Sequence, residues 1–250
     1  MKRKDYFMDF SLIGANIVKL LKNYWRVFLI EGVSNTLILT CIAVSLGAIL
    51  GTVVAILKMS RFRLIRFFIT AYVEIIRGTP ILLQLYIFYF ALPQMMPFLK
   101  LSPFMWVAIA MCVNSSAYVS EVIRSGIQAV DKGQTEAARS LGLSAGQTMR
   151  KVVLPQAIKN ILPALGNEFI MILKETSLAS TFYLGDLMTS YLLVKGATYL
   201  GFECLIIVGC IYFLLTYPLS KVVGYFEKRM ASDKSYKNHH KRKLSEGGKI

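Results

Sequence analysis

The chain is short of charge, histidine and cysteine, and each shortage removes a class of function. Charged residues make up 17% of its 250 positions, where a soluble globular chain carries roughly 25%. With 55% hydrophobic residues and a mean hydropathy of +0.54, an ordinary soluble domain is excluded. A polytopic membrane protein with one helical domain fits the length. The two histidines, His239 and His240, sit side by side in a basic tail. With no intramembrane His, no HExxH and no Ser/His/Asp set, the chain offers neither a catalytic centre nor a metal site. The four cysteines, Cys41, Cys112, Cys204 and Cys210, all lie in apolar runs without a CxxC pair. They read as small packing residues, not as a disulfide framework.

Acidic residues are scarce too: 14 against 29 Lys and Arg, for a net charge of +15. That surplus does not signal nucleic acid, because many of the cations flank apolar runs, where helix ends meet headgroups and cytoplasm. The N-terminus is no secretory signal, since Asp5, Asp9, Lys19, Lys22 and Arg26 interrupt any apolar core. Within an N-terminal segment over 1–34, residues 10–30 instead show apolar positions at helical spacing (Phe10, Leu12, Ile13, Ile17, Leu20, Leu21, Trp25, Phe28). An amphipathic helix lying at the membrane surface is expected there.

Crossing the hydrocarbon layer takes about 20 apolar residues. Five stretches qualify: about 35–57, 67–92, 103–123, 161–183 and 201–223. The first holds a GxxxG (Gly47, Gly51) that lets helix backbones approach closely. The second is interrupted by Glu74, Arg77, Gly78 and Pro80, and Pro80 is expected to break the helix. The expected architecture is all-α: a transmembrane domain over 35–224 and a basic, disordered tail over 225–250. That tail either touches anionic lipid or is merely solvated.

The loops after the first and third spans and the tail hold most of the Lys and Arg. The positive-inside rule therefore puts them in the cytoplasm and, with an odd number of spans, the N-terminus outside. Six cations among the first 34 residues pull against that orientation.

A polar segment between the third and fourth spans is the most informative part of the chain. Glu136-Ala137-Ala138 is followed after three residues by Gly142, and after nine more by Val152-Val153-Leu154-Pro155. Residues 131–157 predict two short helices. Asp131, with Gln134 in capping-box spacing, starts the first, and Gly142 stops it. Ser144 with Gln147 starts the second, which Pro155 disturbs. Small Ala137 and Ala138 would admit another protein's surface, while Glu136 and Arg139 offer charged anchors.

This pattern resembles the cytoplasmic coupling segment of ABC importer permeases. The resemblance extends over about residues 30–225, to the polar amino-acid group serving histidine, glutamine, glutamate, arginine and cystine importers. It is carried by Tyr72-Val73-Glu74-Ile75-Ile76-Arg77-Gly78-Thr79-Pro80, by Asn114-Ser115-Ser116-Ala117-Tyr118 with Glu121 and Arg124, and by Gly166-Asn167-Glu168 with Leu173-Lys174-Glu175-Thr176-Ser177. Departures are small: Ser125 stands where the group usually has Gly, and Val152 where it prefers Ile.

The resemblance implies a type I importer permease in a bacterial plasma membrane. It would pair with a second permease, identical or paralogous, two cytoplasmic ABC ATPase subunits and an extracytoplasmic amino-acid-binding protein. Glu136, Ala137, Ala138, Gly142, Leu154 and Pro155 would form the ATPase-coupling site. No cofactor would be bound by the chain itself. Lacking a GxxxxGK[ST], it would leave ATP and Mg to the partner.

Intramembrane polar residues supply the candidate solute path. Glu74 and Arg77, three apart, form either an internal ion pair or a substrate contact. Asn114 and Ser115 either bond between helices or line a path for a zwitterion. Glu168 is the candidate for an ammonium group, and Lys174 and Glu175 are open between that stripe and a helix end. The competing class is a self-contained carrier or channel, which five helices without an internal repeat argue against.

Overall fold

The structure, a computed structural model, describes the backbone of residues 10–246 and the side chains of residues 11–230. Every regular element among them is helical. Helix α1 (Phe10–Trp25) passes through a π-helical stretch (Arg26–Gly32) into α2 (Val33–Lys58). Helix α3 (Arg63–Gly78) is followed by α4 (Ile81–Tyr86), a second π stretch (Ile87–Ala91) and α5 (Leu92–Met95). The long α6 (Pro103–Gln128) leads to α7 (Lys132–Ser140) and α8 (Ala145–Thr148). A third π stretch (Met149–Val153) then enters α9 (Leu154–Glu175). A 3₁₀ segment (Thr176–Phe182), α10 (Leu187–Thr198) and α11 (Gly201–Glu246) complete the chain.

Each π stretch has a local cause. Two of them end two residues before a proline, Pro93 or Pro155. A proline has no N–H and crowds the carbonyl four residues back, and a widened turn accommodates both. In the first stretch, the Ser190 hydroxyl donates to the Val27 carbonyl at 2.9 Å, so an outside group has entered the helical ladder.

Ser11–Lys58, Pro103–Gln128 and Gly201–Met230 are long and apolar enough to cross a membrane, and α3 with α4–α5 is a helix pair interrupted by a short break, a broken span or a re-entrant loop. The break lies at Thr79, whose backbone is extended (φ −115°, ψ 144°), immediately before Pro80. That follows from the bias of a residue preceding proline. Helix α9, at 22 residues, is about 33 Å long, long enough to cross a bilayer, but it is not apolar enough to rank with the helices above.

Two of the expected boundaries change. Residues 11–34 are not a separate surface segment, because Ser11–Lys58 is one continuous helix. Part of the apolar face assigned to headgroups is taken up by protein: Leu20 and Phe28 are buried with Leu187, Tyr191 and Val194 of α10 and Cys204, Ile207 and Val208 of α11, while Leu12, Leu21 and Trp25 stay exposed. The tail is not irregular either, since α11 runs on to Glu246. Between Tyr225 and Glu246 there is neither glycine nor proline, and Lys, Arg and Glu are good helix formers. Residues 247–250 of the expected tail lie outside those described.

The chain divides into two compact units. The first comprises Met1–Ala43, Ile81–Met111 and Ile172–Thr216, and its described core is the α1–α10–α11 cluster just given. Asp186 caps α10 within it, accepting from the Met188 N–H at 2.9 Å and from the Thr189 hydroxyl. The second comprises Val44–Pro80, Cys112–Met171 and Tyr217–Ile250 and holds the candidate coupling segment. Here the GxxxG serves as expected. A Cβ on Gly47 would stand 2.6 Å from Ser115 Oγ, and one on Gly51 would stand 2.8 Å from the Ser116 carbonyl. Helix α2 therefore meets α6 nearly backbone to backbone.

Candidate functional site

The candidate coupling segment is a helical hairpin whose ends are fixed by capping. Asp131 Oδ1 accepts from the Gly133 N–H at 2.6 Å, starting α7. This is a single cap through the second helical residue; Gln134 contributes its backbone N–H, bonded to the Asp131 carbonyl at 3.0 Å. At the other end, Gly142 adopts φ +84°. The Gly142 N–H reaches the Arg139 carbonyl at 3.0 Å and the Leu143 N–H reaches the Ala138 carbonyl at 3.2 Å, the bond pair of a Schellman stop. The Arg139 guanidinium covers the Leu143 carbonyl at 2.7 Å. Ser144 and Gln147 form both arms of the expected capping box, at 3.3 and 2.9 Å.

Pro155 disturbs the second helix as expected: α8 passes through the π stretch that ends two residues before it and continues into α9, so the hairpin grows directly out of α9. Its root is narrow. A Cβ on Gly126 would fall 2.4 Å from Ile161 Cγ1, and Asn160 Nδ2 donates to the Gly126 carbonyl at 3.3 Å. The entering helix α6 and the leaving helix α9 thus touch where the hairpin begins. Between the arms lies a cleft of about 700 Å³, bordered by Ile127, Thr135, Arg139, Thr148, Met149 and Val153.

Exposure sorts the six expected coupling residues. Glu136, Ala137, Gly142, Leu154 and Pro155 are exposed. Ala138 is not: at 6% accessibility its methyl packs inside the hairpin. An exposed apolar residue that the motif reading left out is Leu141, 81% exposed at the tip. The signal was present in the sequence, as an aliphatic residue directly before the glycine stop of a polar segment.

The candidate path residues separate as well. Glu74 and Arg77 do not pair with each other. Glu74 lies 3.9 Å from Lys58 Nζ and Arg77 lies 3.7 Å from Glu121, partners on other helices. Ser115 is fully buried against Gly47, which places it at a helix crossing and not along a path. Asn114 is buried beside it on α6. Tyr72 of α3 bonds Ser116 Oγ at 2.7 Å and the Val113 carbonyl at 3.1 Å. The polar cluster of α6 therefore holds α2 and α3 through Ser115 and Ser116. Glu168 on α9 is buried at 6%. Further along the same helix, Lys174 is exposed and Glu175 half-buried.

The sequence and the fold were compared with known proteins. A family model described as "Binding-protein-dependent transport system inner membrane component" matches residues 43–232. The arginine transport system permease protein ArtQ of Bacillus subtilis is 42% identical over 206 residues, covering 82% of this chain and 94% of that protein. The probable glutamine ABC transporter permease protein GlnM of the same organism is 41% identical, covering 82% and 94%. Among solved structures, an amino acid ABC transporter crystallised with histidines superposes with a TM-score of 0.81 at 46% identity, covering 85% of this chain and 98% of the other. The MetNI methionine transporter, at 18% identity and a TM-score of 0.66, covers 83% and 98% and shares the fold.

Proposed function

Since the chain belongs to the family of binding-protein-dependent transport system inner membrane components, we propose that it moves a polar amino acid inward, driven by a separate ATPase that docks on the α7–α8 hairpin. It is an ABC transporter permease. The hairpin carries the proposal: Leu141, Glu136 and Ala137 are exposed at or near a tip set by two caps and a glycine stop. Leu141 is 81% exposed there, an apolar side chain that a docked partner would cover.

In this reading the hairpin and the C-terminus face the cytoplasm and the N-terminus lies outside. Two permease subunits, identical or paralogous, stand over two ATPase subunits that supply ATP and Mg, and an extracytoplasmic binding protein delivers the solute. The substrate class follows from relatives named for arginine and glutamine. Glu168, a buried carboxylate on α9, is the residue proposed to meet the ammonium group, with Asn114 as a secondary contact.

The test is reconstitution. Vesicles containing the permease and its ATPase, with binding protein outside and ATP inside, should accumulate labelled glutamine or arginine. Accumulation without the ATPase would overturn the reading in favour of a self-contained carrier.

A further inference from the structure

The densest meeting of charge among the described residues lies outside the hairpin, around Glu121 of α6. Lys58 Nζ, the last residue of α2, donates to it at 2.6 Å. Arg124 binds it through Nη2 at 2.7 Å and Nε at 3.1 Å. Arg77, one residue before the end of α3, stands 3.7 Å away and lies over the Tyr118 ring at 5.5 Å. The Lys58 and Glu121 side chains are only 11% and 14% exposed. One carboxylate thus holds three cations, and the second acid, Glu74, touches only Lys58 and is 66% exposed.

The position of each partner gives this cluster its meaning. Arg77 immediately precedes Gly78, Thr79 and Pro80, where the second span breaks. Arg124 extends the other way, donating to Gln128 Oε1 at 2.7 Å in the last residue of α6. Only three residues separate Gln128 from Lys132, the first residue of α7. Glu121 therefore ties the end of α2, the end of α3 beside its break and the root of the hairpin. A local ion pair would need one cation and would bridge two helices at most. Charge-assisted bonds of this kind are short and directional, and losing the shared anion leaves three like charges facing one another.

We propose that Glu121 is a positioning residue for transport, binding the ends of α2, α3 and α6 into one body so that hairpin movement reaches the Thr79-Pro80 break. This rests on the importer reading above. When the ATPase displaces the hairpin, α6 carries that displacement to Arg77, and α3 moves with it. Without the carboxylate, the ATPase still finds its hairpin, but the stroke is lost between α6 and α3.

The experiment measures amino acid imported per ATP hydrolysed, in vesicles holding the complete transporter with binding protein. Glu121→Gln keeps side-chain volume and removes the charge. Expected is hydrolysis close to wild type, with import per ATP lowered about fivefold or more, the lower end of typical coupling effects. An unchanged ratio overturns the proposal, as does a loss of hydrolysis and import in equal proportion. Should Glu121→Gln fail to assemble, Lys58→Met, which keeps the stem and removes one cation, decides: a lowered ratio supports the role and an unchanged one refutes it. Wild-type vesicles separate the two levels of inference. If they do not import on ATP, the importer reading fails; if they import and both variants match them, only the role of Glu121 fails.

Discussion

Replacing Gly142 by alanine isolates a single energetic effect. The residue sits at φ +84°, and nothing lies within 4 Å of where a Cβ would be built. The substitution therefore meets no clash and acts through the backbone alone. An L-residue held in the left-handed region costs roughly 1–2 kcal/mol. That shifts the local equilibrium between the closed and frayed end of α7 by a factor of roughly 5–30. The amides that report it are those of residue 142, bonded to the Arg139 carbonyl, and Leu143, bonded to the Ala138 carbonyl. Hydrogen exchange of purified permease should accelerate at these amides by that factor, while those of α6 hold their rates. Gly142→Asn should lie much nearer wild type, because asparagine tolerates the left-handed region. If alanine and asparagine exchange like glycine, Gly142 is not the stop that shapes the tip.

Four further outcomes are expected. At the α2–α6 crossing, Gly51→Ala places a Cβ 2.7 Å from Val119 and 2.8 Å from the Ser116 carbonyl, an overpacking that should cost about 1–3 kcal/mol. Gly14→Ala, with nothing within 4 Å, should leave the melting temperature unchanged or higher; similar melting of the two in detergent would refute the close approach. Glu136→Ala should reduce the ATPase that copurifies with the permease, whereas an equal yield would remove Glu136 from the docking surface. Glu168→Gln keeps the shape of the buried side chain and should lower amino-acid uptake with assembly intact; unchanged uptake would dismiss the ammonium contact. Pro80→Ala restores an N–H and relieves the preceding residue of its extended bias; α3 and α4 should become more continuous and transport should fall, so full transport would show that the break has no mechanical role.

What the sequence made legible was local. The caps of α7 and α8, the Gly142 stop and the Gly47/Gly51 approach follow from rules that span a few residues, and the structure shows each of them. What it hid was non-local. Glu74 and Arg77 look like partners when only neighbours along the chain are visible, yet their charges are drawn to Lys58 and Glu121, residues far away in sequence. Periodicity shows that residues 10–30 have an apolar face but not what covers it, and α10 and α11 cover the part around Leu20 and Phe28 where lipid was expected. The burial of Ala138 was hidden for the same reason, since small size suits a partner surface and an internal contact equally. The π stretches need tertiary information in one case, the Ser190 hydroxyl on Val27, and only a proline two residues on in the others.

The decisive measurement is the sidedness of the hairpin tip. Leu141→Cys, in a chain whose own Cys41, Cys112, Cys204 and Cys210 are replaced, puts one thiol at the most exposed large apolar position of the hairpin. A membrane-impermeant maleimide should label it in inside-out vesicles and not in right-side-out ones, and bound ATPase should block the labelling. Labelling from the outer face, or labelling indifferent to the ATPase, would contradict a hairpin that receives the motor's stroke.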